Sequence, residues 1–228
     1  MKTPTKGSLL GILTNAEDLY DGDLAHYFRA VFFNAQNLSN PYHNFRHIFH
    51  VLWLCNEACR FYAKKGEPLT KRQVRNLFIA AMFHDFNHTG MSGNDDLNIE
   101  FALRGLEKHL MLEDKEHLPE ITGLIKATQF PYAIPSSDLD LSGQIIRDAD
   151  MCQALSVAWM QQVVIGLADE WDKKPIDVLR MQAPFLQKLE FLTEWAQQAF
   201  DLEEKIDEAK GLLELLEHGT SPALATKK

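Results

Sequence analysis

Between residues 48 and 62 the apolar side chains Ile48, Val51, Leu52, Cys55, Ala58 and Tyr62 recur at spacings of three and four, which places them along one stripe of a helix. Gly66-Glu67-Pro68 supplies its stop. Val74, Leu77, Phe78, Ala81 and Met82 predict a second helix opened by Thr70 as its N-cap. Its later half, Leu77 to Phe83, is apolar nearly all round and belongs in the centre of the fold. Further helical stretches are predicted over Asn98 to Leu112, Pro119 to Gln129, Gly143 to Leu167, Pro175 to Met181, Pro184 to Phe200 and Leu202 to His218. The break before Pro184 follows from proline's fit to a first helical turn. No window sustains period-two alternation, so the class is all-α. The polar ends, 1–8 and 218–228, read as flexible tails around a single domain over 9–217.

Composition narrows the possible roles. A chain of 228 residues that is 46% hydrophobic can bury a full core. Its net charge of −9 repels polyanions, which argues against a nucleic-acid polymer or an anionic membrane as partner. The apolar run Leu9 to Leu13, interrupted by Gly11, is too short for a signal peptide, and no run approaches the ~18 residues of a membrane span. Cys55, Cys59 and Cys152 form no C-x-x-C pair and read as reduced thiols in a cytoplasmic protein, the first two as small core residues one turn apart.

The nine histidines carry the chemical signal. In Pro41-Tyr42-His43-Asn44-Phe45-Arg46-His47-Ile48-Phe49-His50, helical geometry would put His43, His47 and His50 on one face beside the apolar stripe, ready to bind metal or exchange protons. His84-Asp85 ends the most apolar helix, where an unpaired carboxylate is costly and calls for a cation, an Arg or a backbone cap. In Arg147-Asp148-Ala149-Asp150, helical register puts Asp150 on the apolar face with Ile146, Ala154 and Val157, and turns Asp148 toward solvent or a cap. His47, His84, Asp85 and Asp150 together suit Zn, Mn, Fe or Mg, and a carboxylate can bridge to a second, more oxygen-rich ion. Such a pair holds a hydroxide between the ions and clamps a phosphate ester, while His43 is placed to protonate the departing oxygen. His109, His117 and His218 lie among charged residues and read as solvated, and His50 has no assigned role.

The order His, His-Asp, Asp on an all-α chain resembles the HD superfamily of metal-dependent phosphohydrolases. Within it, Tyr42-His43-Asn44 with His47, Phe83-His84-Asp85 with His88-Thr89-Gly90, and Ala149-Asp150 resemble the catalytic domain of class I cyclic nucleotide phosphodiesterases, over roughly residues 41 to 195. The resemblance implies a compact multi-helix fold and hydrolysis of a 3′,5′-cyclic nucleotide or related small phosphoester by hydroxide held on the metals. It implies two divalent ions, one Zn/Mn/Fe-like and one Mg/Mn-like. His47, His84, Asp85 and Asp150 hold the first, Asp85 bridges to the second, and His43 is the general acid. His88 and Glu100 then sit beside the second ion and the phosphate. Gln182 and Phe185, three residues apart, match the family's base-binding glutamine and clamping phenylalanine.

The departures bear on selectivity. Ala127-Thr128-Gln129 stands where Ala-Thr-Asp is common in the family. Gly166, seven residues after Trp159, occupies the position of the acid that orients the general acid, and Glu170 serves only if the helix is counted from Asp150. Alternatives are an HD hydrolase of a nucleoside monophosphate or alarmone, a diiron HD oxygenase and a non-catalytic module. The oxygenase needs extra histidine ligands between the His-Asp and the last Asp, where only His88, His109 and His117 occur.

Overall fold

The structure is a computed structural model, and it describes residues 7–91, 93 and 95–219. The expected tails fall mostly outside those residues; inside them, Ser8 caps the first helix and His218 closes the last. Eleven α-helices, and no strand, occur among the described residues: α1 (Leu9–Leu13), α2 (Ala25–Asn34), α3 (Phe45–Lys65), α4 (Lys71–Phe83), α5 (Asp96–His109), α6 (Leu118–Ala127), α7 (Leu141–Met151), α8 (Gly166–Glu170), α9 (Pro175–Leu186), α10 (Glu194–Ala199) and α11 (Leu202–His218). The all-α expectation holds.

Capping chemistry sets the ends of the two central helices. The Asn44 side chain accepts the Arg46 N–H at the start of α3, and Gly66 at φ 85° closes it in the left-handed conformation that glycine adopts without strain. Thr70 and Gln73 form a reciprocal capping box at the start of α4. Every residue from Val74 to Phe83 is buried, and α4 packs against α2, α3, α5, α6 and α7. A smaller apolar cluster around Trp159, Val163, Val164, Val178 and Leu179 joins α8, α9 and α11.

The structure corrects five expectations. His43 precedes α3, in the loop that leads to its Asn44 cap, so it shares no helical face with His47 and His50. The long helix expected over Gly143 to Leu167 is broken: α7 passes into a 3-10 turn, Cys152–Leu155, and the chain bends by 94° before a π-helical turn, Met160–Ile165, runs into α8. Val157, expected on the apolar face, projects into solvent at that bend. Pro184 lies inside α9, two residues before its end, where few backbone bonds remain to be broken, and the stretch after it forms only α10. Asp148 is buried at 2% exposure, since its carboxylate accepts the N–H groups of Leu192 and Thr193 and the Thr193 hydroxyl and ties that loop to α7.

One buried ion pair anchors α4 to the chain after α5. Arg75 donates from Nε and Nη2 to the two oxygens of Asp114, each at 2.8 Å, while Tyr27 Oη and Arg72 Nη1 add bonds of 2.6 Å. Burial alone would raise the Asp114 carboxyl, but these donors and the Arg75 charge hold it below the usual range. A carboxylate lowered on folding contributes stability that is present above its unfolded pKa and lost as pH falls through the folded one. Asp114→Ala, which leaves the buried Arg75 only Glu113 and the carbonyls of Asp21 and Asp23, is expected to cost about 3 kcal/mol at neutral pH. Urea denaturation should show that cost shrinking as the wild type is acidified below the unfolded carboxylate range.

Candidate metal centre and acid site

Three helix ends meet at one point. His47 comes from the first turn of α3, His84 and Asp85 from the C-terminal end of α4, and Asp150 from the last turn of α7. His47 and His84 are each 2% exposed and Asp85 8%. His47 Nε2 lies 3.0 Å from Asp150 Oδ1, 3.3 Å from Asp85 Oδ2 and 3.2 Å from His84 Nε2. His84 Nε2 lies 3.5 Å from Asp85 Oδ2 and 3.6 Å from Asp150 Oδ1.

The partners on the far side of each ring decide what this cluster is. His84 Nδ1 donates to the Ala81 carbonyl at 2.8 Å, and His47 Nδ1 donates to Gln153 Oε1 at 2.6 Å. With both Nδ1 protons committed, the neutral rings present bare Nε2 lone pairs, and these face each other and two carboxylate oxygens. Asp85 Oδ2 is buried without a hydrogen-bond partner. Acceptors converging in a dry site repel unless a cation sits among them. His47 Nε2, His84 Nε2 and Asp150 Oδ1, 3.0–3.6 Å apart, lie roughly 2 Å from a common centre, the length of Zn–N and Zn–O bonds, and Asp85 Oδ2 stands 3.3 and 3.5 Å from the two nitrogens. The donor set and its spacing therefore fit a divalent ion.

Without the ion, protons do part of its work. Burial alone would lower the His84 imidazole, yet the charges of Asp85 and Asp150 and its hydrogen bonds raise it to about 9. Burial would raise Asp85, and the surrounding histidines bring it down to about 2; Asp150 is lowered as well, against its burial, by its histidine neighbours.

A second histidine pair adjoins this cluster. His43 Nδ1 makes a short hydrogen bond to Glu170 Oε1, and Glu170 Oε2 accepts the backbone N–H groups of Tyr42 and His43 at 2.9 and 3.0 Å. Burial lowers the His43 imidazole, and the Glu170 hydrogen bond with the Asp85, Glu170 and Asp150 charges outweighs it, for a net rise. The His88 ring stacks on His43 with centroids 3.7 Å apart and planes 20° apart. Nearly parallel rings so stacked cannot aim in-plane lone pairs at one cation, so His43, His88 and Glu170 form a hydrogen-bonded stack and not a second chelate. His88 Nδ1 accepts the Gly90 N–H at 3.0 Å, its Nε2 lies 2.9 Å from the terminal amide of Asn98, and burial pushes it down to about 4.

Glu170 is the acid on His43, one turn beyond the position counted from Trp159. That position, Gly166, packs so closely on the His43 loop that a Cβ would lie 3.0 Å from the Pro41 carbonyl oxygen. Asn37, which the sequence did not single out, fastens the same loop: its amide donates to the carbonyls of His43 and Asp85, each at 2.8 Å, and its oxygen accepts the Asn87 N–H. The run of asparagines before α3 was the available signal.

Other expected residues lie apart. Glu100 is on the exposed face of α5, paired with Arg104, and the acid that approaches His88 is Asp95 at 3.8 Å. An exposed i, i+4 partner outcompetes a site some distance away. His109 is half-buried against Phe83 and Phe86 instead of solvated, and His117 lies near Glu116 and Glu120. Gln182 is buried on α9 with Oε1 unpartnered, and Phe185 packs edge-on to Phe130 at 6.3 Å. Cys55, Cys59 and Cys152 are free and buried.

Residues 42–116 match the family model of the 3′5′-cyclic nucleotide phosphodiesterases. The matched span, about a third of the chain, is shorter than the 41 to 195 expected, and it carries His43, His47, His84, Asp85 and His88 but stops before Asp150 and Glu170. No curated protein matches the chain. Among the described residues no single helix is long and apolar enough to cross a membrane. The chain is thus a phosphodiesterase-like enzyme, similar over that segment to a family of phosphoric diester hydrolases, and its His/Asp cluster is a candidate metal site.

Because metal-free His84 titrates near 9, it is protonated at neutral pH and a cation must displace that proton. Apparent divalent-metal affinity is expected to rise roughly tenfold per pH unit between neutrality and His84's own titration, then level off. Calorimetric titration in two buffers of different ionisation enthalpy should register about one proton released per ion at pH 7.

Proposed function

We propose that residues 9–217 form one catalytic unit that hydrolyses a 3′,5′-cyclic nucleotide or a related small phosphoester with two divalent ions. The carrying observation is the convergence of His47, His84 and Asp150 at 3.0–3.6 Å with Asp85 Oδ2 within 3.5 Å of both ring nitrogens, Asp150 coming from outside the matched segment. In this reading those four hold a Zn/Mn/Fe-like ion and Asp85 also reaches a Mg/Mn-like one. Bound there, divalent cations supply Lewis-acid stabilisation of a phosphoryl group and lower the pKa of water. They also offset the net charge of −9 that would otherwise repel a phosphate.

The chain's own residues handle the proton and the base. Glu170 takes the His43 Nδ1 proton in a hydrogen bond and favours the charged ring, which leaves Nε2–H free to protonate the departing alkoxide. His88, held neutral by burial, stacks on His43 and limits its rotation without adding charge. The buried, unpartnered Gln182 Oε1 and the half-buried Phe185 suit a base edge and face respectively. Free, buried thiols fit a reducing, cytoplasmic setting.

Purified protein with Mn²⁺ or Mg²⁺ is expected to turn over cyclic nucleotides in preference to linear nucleoside monophosphates; turnover of the linear esters alone would overturn the reading. His43→Ala should lower kcat about 10²–10⁴-fold on a cyclic nucleotide while metal affinity persists. The loss should be much smaller on an aryl phosphodiester, whose leaving group needs no proton. Since His43 acts protonated and its pKa is raised, wild-type kcat should fall on the alkaline side, a limb that His43→Ala lacks.

A further inference from the structure

His47 is gripped at both ring nitrogens by one short stretch of chain. Asp150 Oδ1 approaches Nε2 at 3.0 Å, and Gln153, three residues later, meets Nδ1 at 2.6 Å. The pairing uses adjacent turns of one rod: Asp150 stands in the last turn of α7 and Gln153 in the 3-10 turn Cys152–Leu155 that continues it, and residues three apart are neighbours on a helix face. Gln153 is 2% exposed, and its amide nitrogen donates to Gln162 Oε1 at 2.5 Å. Gln162 stands on the π-helical turn Met160–Ile165 and lines an open polar cleft of about 350 Å³ with Arg46, Gln161 and Asp169. A single extra residue in a helix turn re-aims the side chains around it, and here that turn faces Gln153.

We propose that Gln153, oriented by Gln162, is the positioning residue that fixes the tautomer of His47 and aims its Nε2 lone pair into the metal cluster. This rests on the cluster being a metal centre. A cation on Nε2 selects the polarity of the relay. The ring must then carry its proton on Nδ1, Gln153 Oε1 accepts that proton, and the Gln153 N–H₂ is left to donate to Gln162 Oε1. With Gln153 removed, His47 is free to carry its proton on Nε2, where Asp150 and Asp85 would accept it and where it excludes the cation. The cleft end of the relay is open to solvent, so the alignment of the buried ring depends on a group at the protein surface.

Zn²⁺ titration of the full chain, with imidazole ¹H–¹⁵N spectra of the metal-free protein, tests this. Gln153→Ala is expected to bind Zn²⁺ some 10–100-fold more weakly and to move the His47 Nδ1–H signal. Gln153→Glu, which keeps an acceptor, should restore binding at least to the wild-type level. Gln162→Leu should weaken binding by a smaller factor, and the double variant Gln153→Ala/Gln162→Leu should bind no worse than Gln153→Ala, because Gln162 acts through Gln153. If Gln153→Ala does not fold, Gln162→Leu and Gln153→Glu carry the test. Wild-type affinity together with an unmoved His47 signal in Gln153→Ala, or in Gln162→Leu where that stands in, would overturn the relay alone. A wild-type protein that binds neither Zn²⁺ nor Mn²⁺ would overturn the metal centre as well.

Discussion

The arrangement turns on four acceptor atoms held against one another at the end of the most buried helix. The apolar surroundings of α4 offer nothing to compensate two imidazole lone pairs and two carboxylates, and water has little access to His47, His84 and Asp85 at 2–8% exposure, with Asp150 half-buried beside them. The cluster is tolerable only with positive charge among its members, whether protons shared between histidine and aspartate or a divalent ion. Metal binding and proton release are thus two states of one electrostatic constraint. The N-terminal end of α3 and the C-terminal ends of α4 and α7 meet at that point.

Departures from regular helix surround this cluster on the α7 side. The 3-10 turn carries Gln153 one turn beyond Asp150, the 94° bend returns the chain toward the His43 loop, and the π turn leads into α8, whose last residue is Glu170. A straight helix over the same residues could not serve both His47 and His43. The small side of Gly166 lets α8 lie against the Pro41 carbonyl, and the left-handed Gly90 at φ 75° keeps a Cβ from closing on the Glu170 side chain at 3.0 Å. Irregular backbone and glycine sit where two functional groups approach from one segment.

The legibility of the site followed distance along the chain. His84-Asp85 announced itself because ionisable groups stood at the end of an unbroken apolar helix, and Asp150 because its register was buried. Asp148 was misread because helical register alone could not show that the loop carrying Leu192 and Thr193 folds over that face. Glu100 was drawn to the site by resemblance, whereas an exposed arginine one turn away holds it. Asn37, Asn98 and Gln153 were missed as site partners for a shared reason: each is an uncharged amide whose significance lies in what it faces, and composition carries no trace of that.

By itself the sequence determined the helical class, the two central helices with the Gly66 stop of the first and the Thr70 cap of the second, and the residue types that would need a cation, because periodicity, capping and the cost of burying charge are local properties. Tertiary structure decided which atoms meet. It took His43 out of the helix, chose Glu170 over the position of Gly166 as its partner, and set the bare nitrogens of His47 and His84 against Asp85 and Asp150. Those outcomes depend on the bend after α7 and on hydrogen bonds spanning more than a hundred residues, which no window of sequence contains.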